Sequence, residues 1–178
     1  VPREVIERLL EAARWAPSAH NRQPWRFAVI ESAAWRGRLA VAMGERLRAD
    51  LAADRLSPDD IERQVRRSYE RISSAPLVIV FFLSLADMDQ YPDPTRREAE
   101  RLMAVQSVAL AAQNMLLQAH AEGLGACWMC APLFCPDVVR VELNLPDGWI
   151  AQGLLTIGYP AEDRQKGREP LELRVRWY

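Results

Sequence analysis

The sequence has little of what usually assigns a function. Its 3 cysteines and 2 histidines are too few for a secreted disulfide framework or for a finger-like zinc site. A Rossmann dinucleotide motif has the form Gly-x-Gly-x-x-Gly and follows a strand. Gly123 and Gly125 follow a predicted helix, and residue 128 is not glycine, so the motif is absent. P-loop and Gly-x-Ser-x-Gly motifs are absent as well, so the usual signals of NTPases and α/β-hydrolases are missing.

Charge and hydropathy exclude two further classes of partner. A formal net charge of -1 and arginines scattered among carboxylates provide no basic patch for nucleic acid. The longest apolar stretch, around residues 105–117, contains glutamine, serine and asparagine and falls short of the roughly 20 apolar residues of a membrane span. No signal peptide is visible. We therefore expect no nucleic-acid partner and no membrane. The small number of cysteines favours a reducing, cytoplasmic setting.

What is present predicts one domain over residues 1–178, in which helices and strands are mixed. The length of 178 residues and the 49% hydrophobic content suit a single core. Amphipathic or capped segments predict helices at residues 2–15, 32–53, 58–72, 95–122 and 136–144. Apolar runs predict strands at residues 27–30, 76–83, 125–129 and 150–159.

Three segments predict how these elements pack. The run at residues 76–83 has no polar alternation, which indicates a central strand covered on both faces. Residues 102–117 of the fourth helix are apolar nearly all round, so we expect burial on every side, one side against a subunit partner. Residues 171–177 alternate apolar and charged side chains, which predicts a half-buried edge strand, well placed to join the sheet of the other subunit.

The spacing Cys127-Trp128-Met129-Cys130 raises thiol-redox and metal hypotheses. A reactive dithiol usually lies at a helix N-terminus, where the helix dipole lowers the thiol pKa, whereas these cysteines lie in or at the end of a predicted strand. Zinc needs about four ligands, and the other candidates, Cys135, His20 and His120, have no finger-like spacing. We expect neither a dithiol site nor a metal site.

Polar groups are concentrated at residues 16–25, Ala-Pro-Ser-Ala-His-Asn-Arg-Gln-Pro-Trp, between the first helix and the first strand. The hydroxyl of Ser18 and the carboxamides of Asn21 and Gln23 can both donate and accept hydrogen bonds, as a polar ligand edge requires. A capped turn with Trp25 in the core explains the same residues. By themselves the residues favour the turn.

This segment resembles the flavin-binding signature of the nitroreductase family, Pro-Ser-x-x-Asn-x-Gln-Pro-Trp. Residues 123–129, Gly-Leu-Gly-Ala-Cys-Trp-Met, are similar to the family's Gly-Leu-Gly-x-x-Trp strand, and residues 157–162 and 168–171 to its closing strand and tail. The resemblance covers nearly the whole chain. It implies an α+β, nitroreductase-like fold with a mostly antiparallel central sheet flanked by helices. It also implies a homodimer in which the C-terminal strand is swapped and residues 160–178 pack on the partner subunit.

FMN, bound at the dimer interface, is the cofactor that the resemblance implies. The implied flavin contacts are Ser18, Asn21, Gln23 and the backbone of Met129, Cys130 and Ala131. The resemblance assigns the FMN phosphate to Arg168, with Lys166 as a weaker second candidate, because a guanidinium pairs well with phosphate oxygens. Family members also carry an Arg-Arg-Ser-x-x-Arg type segment before the first helix, and we expect that segment to precede Val1 in the natural protein.

The middle of the chain is similar to the FMN-binding C-terminal domain of the bifunctional glutamyl ligase of deazaflavin coenzyme biosynthesis, at residues 47–51, 56–62, 91–93 and 134–140. This similarity implies that Asp50 lies near the substrate; a solvated helix acid beside Arg46 and Arg48 is the alternative. The Asn-x-Gln-Pro-Trp run is the generic nitroreductase form, so the acceptor stays open among nitro, quinone and other aromatic compounds and a dehydro precursor of the deazaflavin.

The implied activity is that of an FMN-dependent oxidoreductase. Hydride passes in ping-pong fashion from NAD(P)H or a reduced deazaflavin to a small-molecule acceptor. No catalytic acid or base is assigned. The alternative is a flavin or deazaflavin binding module without turnover.

Overall fold

In the computed structural model, the described residues, 1–162 and 167–178, form five α-helices and a four-stranded sheet. The helices are α1 (Arg3–Arg14), α2 (Ala33–Ala53), α3 (Pro58–Ser73), α4 (Pro94–Ala121) and α5 (Pro136–Glu142). The strands are β1 (Trp25–Ile30), β2 (Leu77–Leu83), β3 (Gly125–Met129) and β4 (Ile150–Gly158). These bounds lie within a few residues of the predicted ones.

Side-chain caps explain why three of the helices begin where the sequence predicts. The side chains of Ser32, Ser57 and Asp93 accept hydrogen bonds from the backbone N–H three residues on, at the starts of α2, α3 and α4. Proline follows the cap in α3 and in α4, where its missing N–H is of no consequence. Local chemistry therefore sets these boundaries.

The sheet has the order β1-β2-β4-β3, and all three neighbouring pairs are antiparallel. Every residue of β2 is buried, which confirms the predicted central strand. Its alternate side chains contribute to two separate cores. Leu77, Ile79 and Phe81 pack with α1 and α4, whereas Val78, Val80 and Phe82 pack with α2 and α5. The predicted α+β class with helices flanking an antiparallel sheet is confirmed.

Helix α4 buries one face in the single chain, and burial of its other side against a subunit partner stays a prediction. Ala104, Val108, Ala111 and Met115 lie in the core, while the opposite face carries exposed leucines and glutamines. We call this face the α4 stripe: Leu102, Gln106, Ala109, Leu110, Gln113 and Leu117. Among the described residues, α4 is the one helix long and apolar enough to cross a membrane, but its buried face packs as a core helix does.

The C-terminal tail differs from its prediction. Leu171–Leu173 form a 3₁₀ turn instead of a strand, and Trp177 is 90% exposed. The side-chain alternation that predicted a strand says nothing about backbone partners, and a strand needs a neighbour for its N–H and C=O groups. The prediction of an edge strand is therefore wrong for the single chain. The swap between subunits stays a prediction.

We expect Gly153→Ala to destabilise the protein by about 1–3 kcal/mol, the usual cost of overpacking. A Cβ at Gly153 would lie 2.2 Å from Cζ2 of Trp128, and that ring is held edge-on against Phe81 at 5.4 Å. Urea unfolding followed by circular dichroism measures the effect.

Gly37→Ala is the matched control, because nothing lies within 4 Å of a Cβ there and alanine favours a helix by about 0.5–1 kcal/mol over glycine. An unfolding midpoint of Gly153→Ala at or above that of the unsubstituted protein would contradict the packing described.

Candidate functional site

The connection between α1 and β1 has an unusual backbone. His20, Asn21 and Gln23 all have positive φ, at 51°, 54° and 50°. Residues other than glycine rarely adopt this left-handed region, and each such residue costs of order 1–3 kcal/mol unless its surroundings hold it there. Strain of this kind concentrates where side chains are presented to ligands. We call residues 18–23 the polar loop.

Hydrogen bonds hold the polar loop in this conformation. The N–H of Gln23 donates to Oγ of Ser18 at 3.0 Å, which closes the loop on itself. The N–H of Ala19 donates to Oγ of Ser107 on α4 at 3.2 Å, and that Oγ donates in turn to the carbonyl of Met103 at 2.8 Å. The hydroxyl of Ser18 therefore braces the loop.

The two carboxamides of the polar loop are exposed. Nε2 of Gln23 lies 3.4 Å from both the backbone oxygen and Oδ1 of Asn21, which is the long limit of a hydrogen bond. Both side chains keep most of their donor and acceptor capacity for another partner. Trp25, by contrast, is 6% exposed and belongs to the core, as the turn hypothesis expects.

Two ion pairs that the sequence did not predict brace the polar loop from outside. Arg22 Nη2 lies 2.6 Å from Oδ1 of Asp89, and Arg26 Nη2 lies 3.1 Å from Oδ2 of Asp87. More than sixty residues separate the partners, so no local spacing signals the pairs. Ser107 was missed for the same reason.

The end of β3 turns sharply into a 3₁₀ turn at Ala131–Phe134. Met129 still pairs with Leu154 of β4, and Cys130 caps the turn. The indole Nε1 of Trp128 donates to Sγ of Cys130 at 3.1 Å. Cys127 and Cys130 are exposed free thiols, placed in and just after a strand as expected. Among the described residues no group of three or more potential ligands is placed to hold a metal.

The polar loop and the end of β3 are directed toward the same end of the sheet. β1 begins beside the end of β2, β2 ends beside the start of β4 at Ile150, and β3 runs toward that end but stops beside Leu154, in the middle of β4. β1 and β3 are the two outer strands. Three strand spacings separate them, about 14 Å at roughly 4.8 Å each. Antiparallel pairing thus directs two segments a hundred residues apart toward one end of the sheet.

A cavity of about 260 Å³ lies between α2 and the turn after β3, and we call it the α2 cavity. It brings two predicted site residues together, because Asp50 and Ala131 both line it. The rest of its lining is mainly apolar, and comprises Met43, Arg46, Leu47, Leu51, Asp54, Ser68, Phe134 and Cys135.

Ion pairs define the charge of the α2 cavity. Arg46 lies 3.4 Å from Asp50 through Nε and 3.5 Å from Asp137 of α5 through Nη1. Arg48 instead pairs with Glu62. Asp50 is thus a half-exposed helix acid beside Arg46 and also lines the cavity. Its surroundings fit both the solvated helix acid and the residue near a substrate that the sequence suggested.

Cys135 forms part of the cavity floor. The pKa of its thiol is raised to about 11, mainly by burial; the charge of Arg46 lowers it, and the carboxylates of Asp137 and Asp50 add to the rise. The thiol therefore stays protonated at neutral pH, which removes it as a nucleophile.

The predicted phosphate ligands lie on the tail. Arg168 is exposed, and its Nη1 donates to the carbonyl of Gly167 at 3.1 Å. Lys166 lies outside the described residues. The single chain therefore places the predicted cofactor residues on three segments: the polar loop, the end of β3 and the tail.

Comparison with known proteins identifies the family. The model of the nitroreductase family matches residues 1–159. The chain belongs to the nitroreductase family. A 5,6-dimethylbenzimidazole synthase of Rhodospirillum rubrum is 33% identical over 168 residues, 92% of this chain and 74% of that protein. An NADH dehydrogenase of Thermus thermophilus is 29% identical over 202 residues, 99% of this chain and 86% of that protein.

A solved nitroreductase-family structure agrees in fold. The structure of a Desulfovibrio desulfuricans protein in complex with FMN superposes with a TM-score of 0.73 at 26% identity, covering 98% of this chain and 84% of that one. The family, the oxidoreductase class and the FMN cofactor that the sequence predicts agree with these findings.

Proposed function

We propose that this nitroreductase-family chain is an FMN-dependent reductase whose organic acceptor binds in the α2 cavity. The observation that carries the proposal is that Ala131, at the predicted flavin edge, and Asp50, the predicted substrate contact, line one cavity. Bound FMN supplies hydride acceptance and donation, here in two successive half-reactions with NAD(P)H or a reduced deazaflavin as donor. The protein supplies binding, orientation and exclusion of water.

The donor set of the chain suits a flavin. The exposed carboxamides of Asn21 and Gln23, with the hydroxyl of Ser18, match the mixed donors and acceptors of a pyrimidine edge. The strained backbone of the polar loop supports a binding role. Backbone groups of Met129, Cys130 and Ala131 would hold the ring, and Arg168 with Lys166 would hold the phosphate.

We expect Asn21→Ala to raise the Kd for FMN about fivefold to tenfold, the effect of one lost hydrogen bond of roughly 1–1.5 kcal/mol. Fluorescence titration of the apoprotein with FMN measures this. Asn144→Ala is the matched control, because Asn144 has a similar left-handed backbone, with φ of 51°, but follows α5. Equal losses of affinity in both variants would show that Asn21 acts only through loop stability.

Two observations favour different functions for this chain. The position of Asp50 in the α2 cavity favours a ring compound such as a dehydro precursor of the deazaflavin coenzyme, a quinone or a nitroaromatic. The 33% identity with the Rhodospirillum rubrum synthase favours a second candidate function, formation of 5,6-dimethylbenzimidazole.

A parallel assay separates these functions from a binding module without turnover. We expect anaerobic NAD(P)H or reduced deazaflavin to bleach the flavin absorbance, and a dehydro-deazaflavin, a quinone or a nitroaromatic to restore it with multiple turnovers. In a separate incubation of the reduced flavin with oxygen as oxidant, appearance of 5,6-dimethylbenzimidazole by chromatography would favour the second candidate instead. Bleaching without turnover or product would indicate the binding module, and no bound flavin after reconstitution would refute the reductase.

A homodimer would complete the site. The α4 stripe exposes Leu102, Leu110 and Leu117 at 49%, 44% and 60%, and exposed leucines aligned on one helix face mark interfaces even where glutamines lie between them. The outer strands β1 and β3 each leave one edge open to a swapped tail, as in strand addition. Three free thiols support a reducing, cytoplasmic setting.

We expect Leu110→Glu to convert a dimer into a monomer and to weaken FMN binding, because it places a charge in the centre of the α4 stripe. Light scattering coupled to size exclusion measures the mass. Val41→Glu, at a residue of α2 that is 50% exposed, introduces the same charge elsewhere and should leave the dimer intact. An unsubstituted protein that is monomeric with FMN bound would contradict the shared site.

A further inference from the structure

The α2 cavity has the size and lining for one substituted aromatic ring. Its volume is about 260 Å³, and dry apolar cavities of about 150 Å³ already bind benzene. Met43 and Cys135 form a buried floor. Phe134 lines the cavity although it is 73% exposed, so a bound ring would cover an aromatic surface that water now contacts.

The mouth of the α2 cavity is acidic. Asp50 and Asp54 lie one turn apart at the C-terminal end of α2 and both line the cavity. Backbone carbonyls at a helix C-terminus add partial negative charge. Asp50 is 50% exposed at its side chain, so its charge reaches an entering ligand with little protein between them.

The one cation of the lining does not offset these charges. Arg46 pairs with both Asp50 and Asp137, so two carboxylates share one guanidinium, and Asp54 adds a third carboxylate to the region. An anion entering the cavity would meet the carboxylates directly, and Arg46 is already paired with two of them.

We propose that the α2 cavity selects aromatic acceptors whose ring bears a cationic or hydrogen-bond-donating substituent, and discriminates against anionic ones, through Asp50 and Asp54. This selectivity rests on the proposed function, since it concerns the acceptor of the same reductase. It adds a class of substrate to that function: the ring fills the apolar part of the cavity and the substituent lies at the acidic mouth.

Three para-substituted nitrobenzenes test the selectivity, because they share a ring and differ in charge: (4-nitrobenzyl)trimethylammonium, 4-nitrobenzyl alcohol and 4-nitrobenzoate. Calorimetric titration of the oxidised, FMN-loaded protein without electron donor measures binding separately from turnover. We expect the cation to bind about tenfold more tightly than the anion at low ionic strength, since exposed charges contribute a few-fold each. Added salt should reduce the difference.

Matched variants assign the effect to the two carboxylates. We expect Asp50→Asn and Asp54→Asn each to narrow the cation preference, and the double variant to abolish it. Glu45→Gln removes one charge from an exposed position of α2 outside the cavity lining and should leave the preference unchanged. The same order should appear in KM rather than kcat.

The proposal is overturned if the anion binds as tightly as the cation, if the double variant keeps the preference, if Glu45→Gln abolishes it, or if none of the three compounds binds. A selective protein that reduces neither these compounds nor a quinone nor a dehydro-deazaflavin would leave the cavity selectivity standing and refute the reductase. Reduction of the compounds without a charge preference would leave the reductase standing and refute the cavity selectivity.

Discussion

Strand β2 is the constraint on which the rest of the structure depends. Its seven residues, Leu77–Leu83, are all buried and contain no polar side chain. A strand of this kind must have a strand on each side and helices on each face, because its backbone groups need partners and its side chains need cover. β1 and β4 are the neighbouring strands that pair with its backbone, and the α1/α4 and α2/α5 layers cover its side chains on the two faces. β1, which pairs with β2, places the polar loop at one end of the sheet, and β3, which pairs with β4, runs toward that same end.

The polar loop shows how this rigid sheet supports a strained segment. Left-handed backbone at His20, Asn21 and Gln23 is unfavourable in isolation. The loop is held because β1 follows it at once and because Ser107 of α4 accepts the N–H of Ala19. Strand pairing and one buried hydroxyl thus offset the strain, and the carboxamides are held outward before any ligand arrives. Such preorganisation lowers the ordering cost of binding.

Local features were predictable from the sequence because they depend on neighbours in the chain. Helix starts followed from caps at Ser32 and Ser57, and the central strand from an uninterrupted apolar run. Features that depend on distant partners were not predictable. The pairs Arg22 with Asp89 and Arg26 with Asp87, the strand order and the α2 cavity all join segments whose proximity only the folded chain decides.

The features of the candidate site also divide into those that the sequence indicates and those that only the folded chain brings together. Residue chemistry and family resemblance indicated the polar loop, the end of β3 and Asp50, and the folded chain placed Asp50 beside Ala131. Sequence reasoning did not anticipate Arg46 as the bridge from Asp50 to Asp137, because α5 lies about ninety positions away in the chain. The single chain lacks the predicted terminal strand, because side-chain alternation does not reveal where a partner strand lies.

Three features of the single chain are unfavourable in water, and each has a different origin. The outer strands leave backbone groups unpaired along one edge, the α4 stripe exposes leucines, and the tail exposes Leu171, Leu173 and Trp177. If a different partner covered each of these surfaces, three partners would be needed. A second copy of this chain would offer a partner for all three at once, since it has the same leucine stripe, the same alternating tail sequence and the same outer strands. The proposed cofactor residues are divided between the body and that same tail, so the contact that covers the exposed surfaces would also be the one that assembles the flavin site.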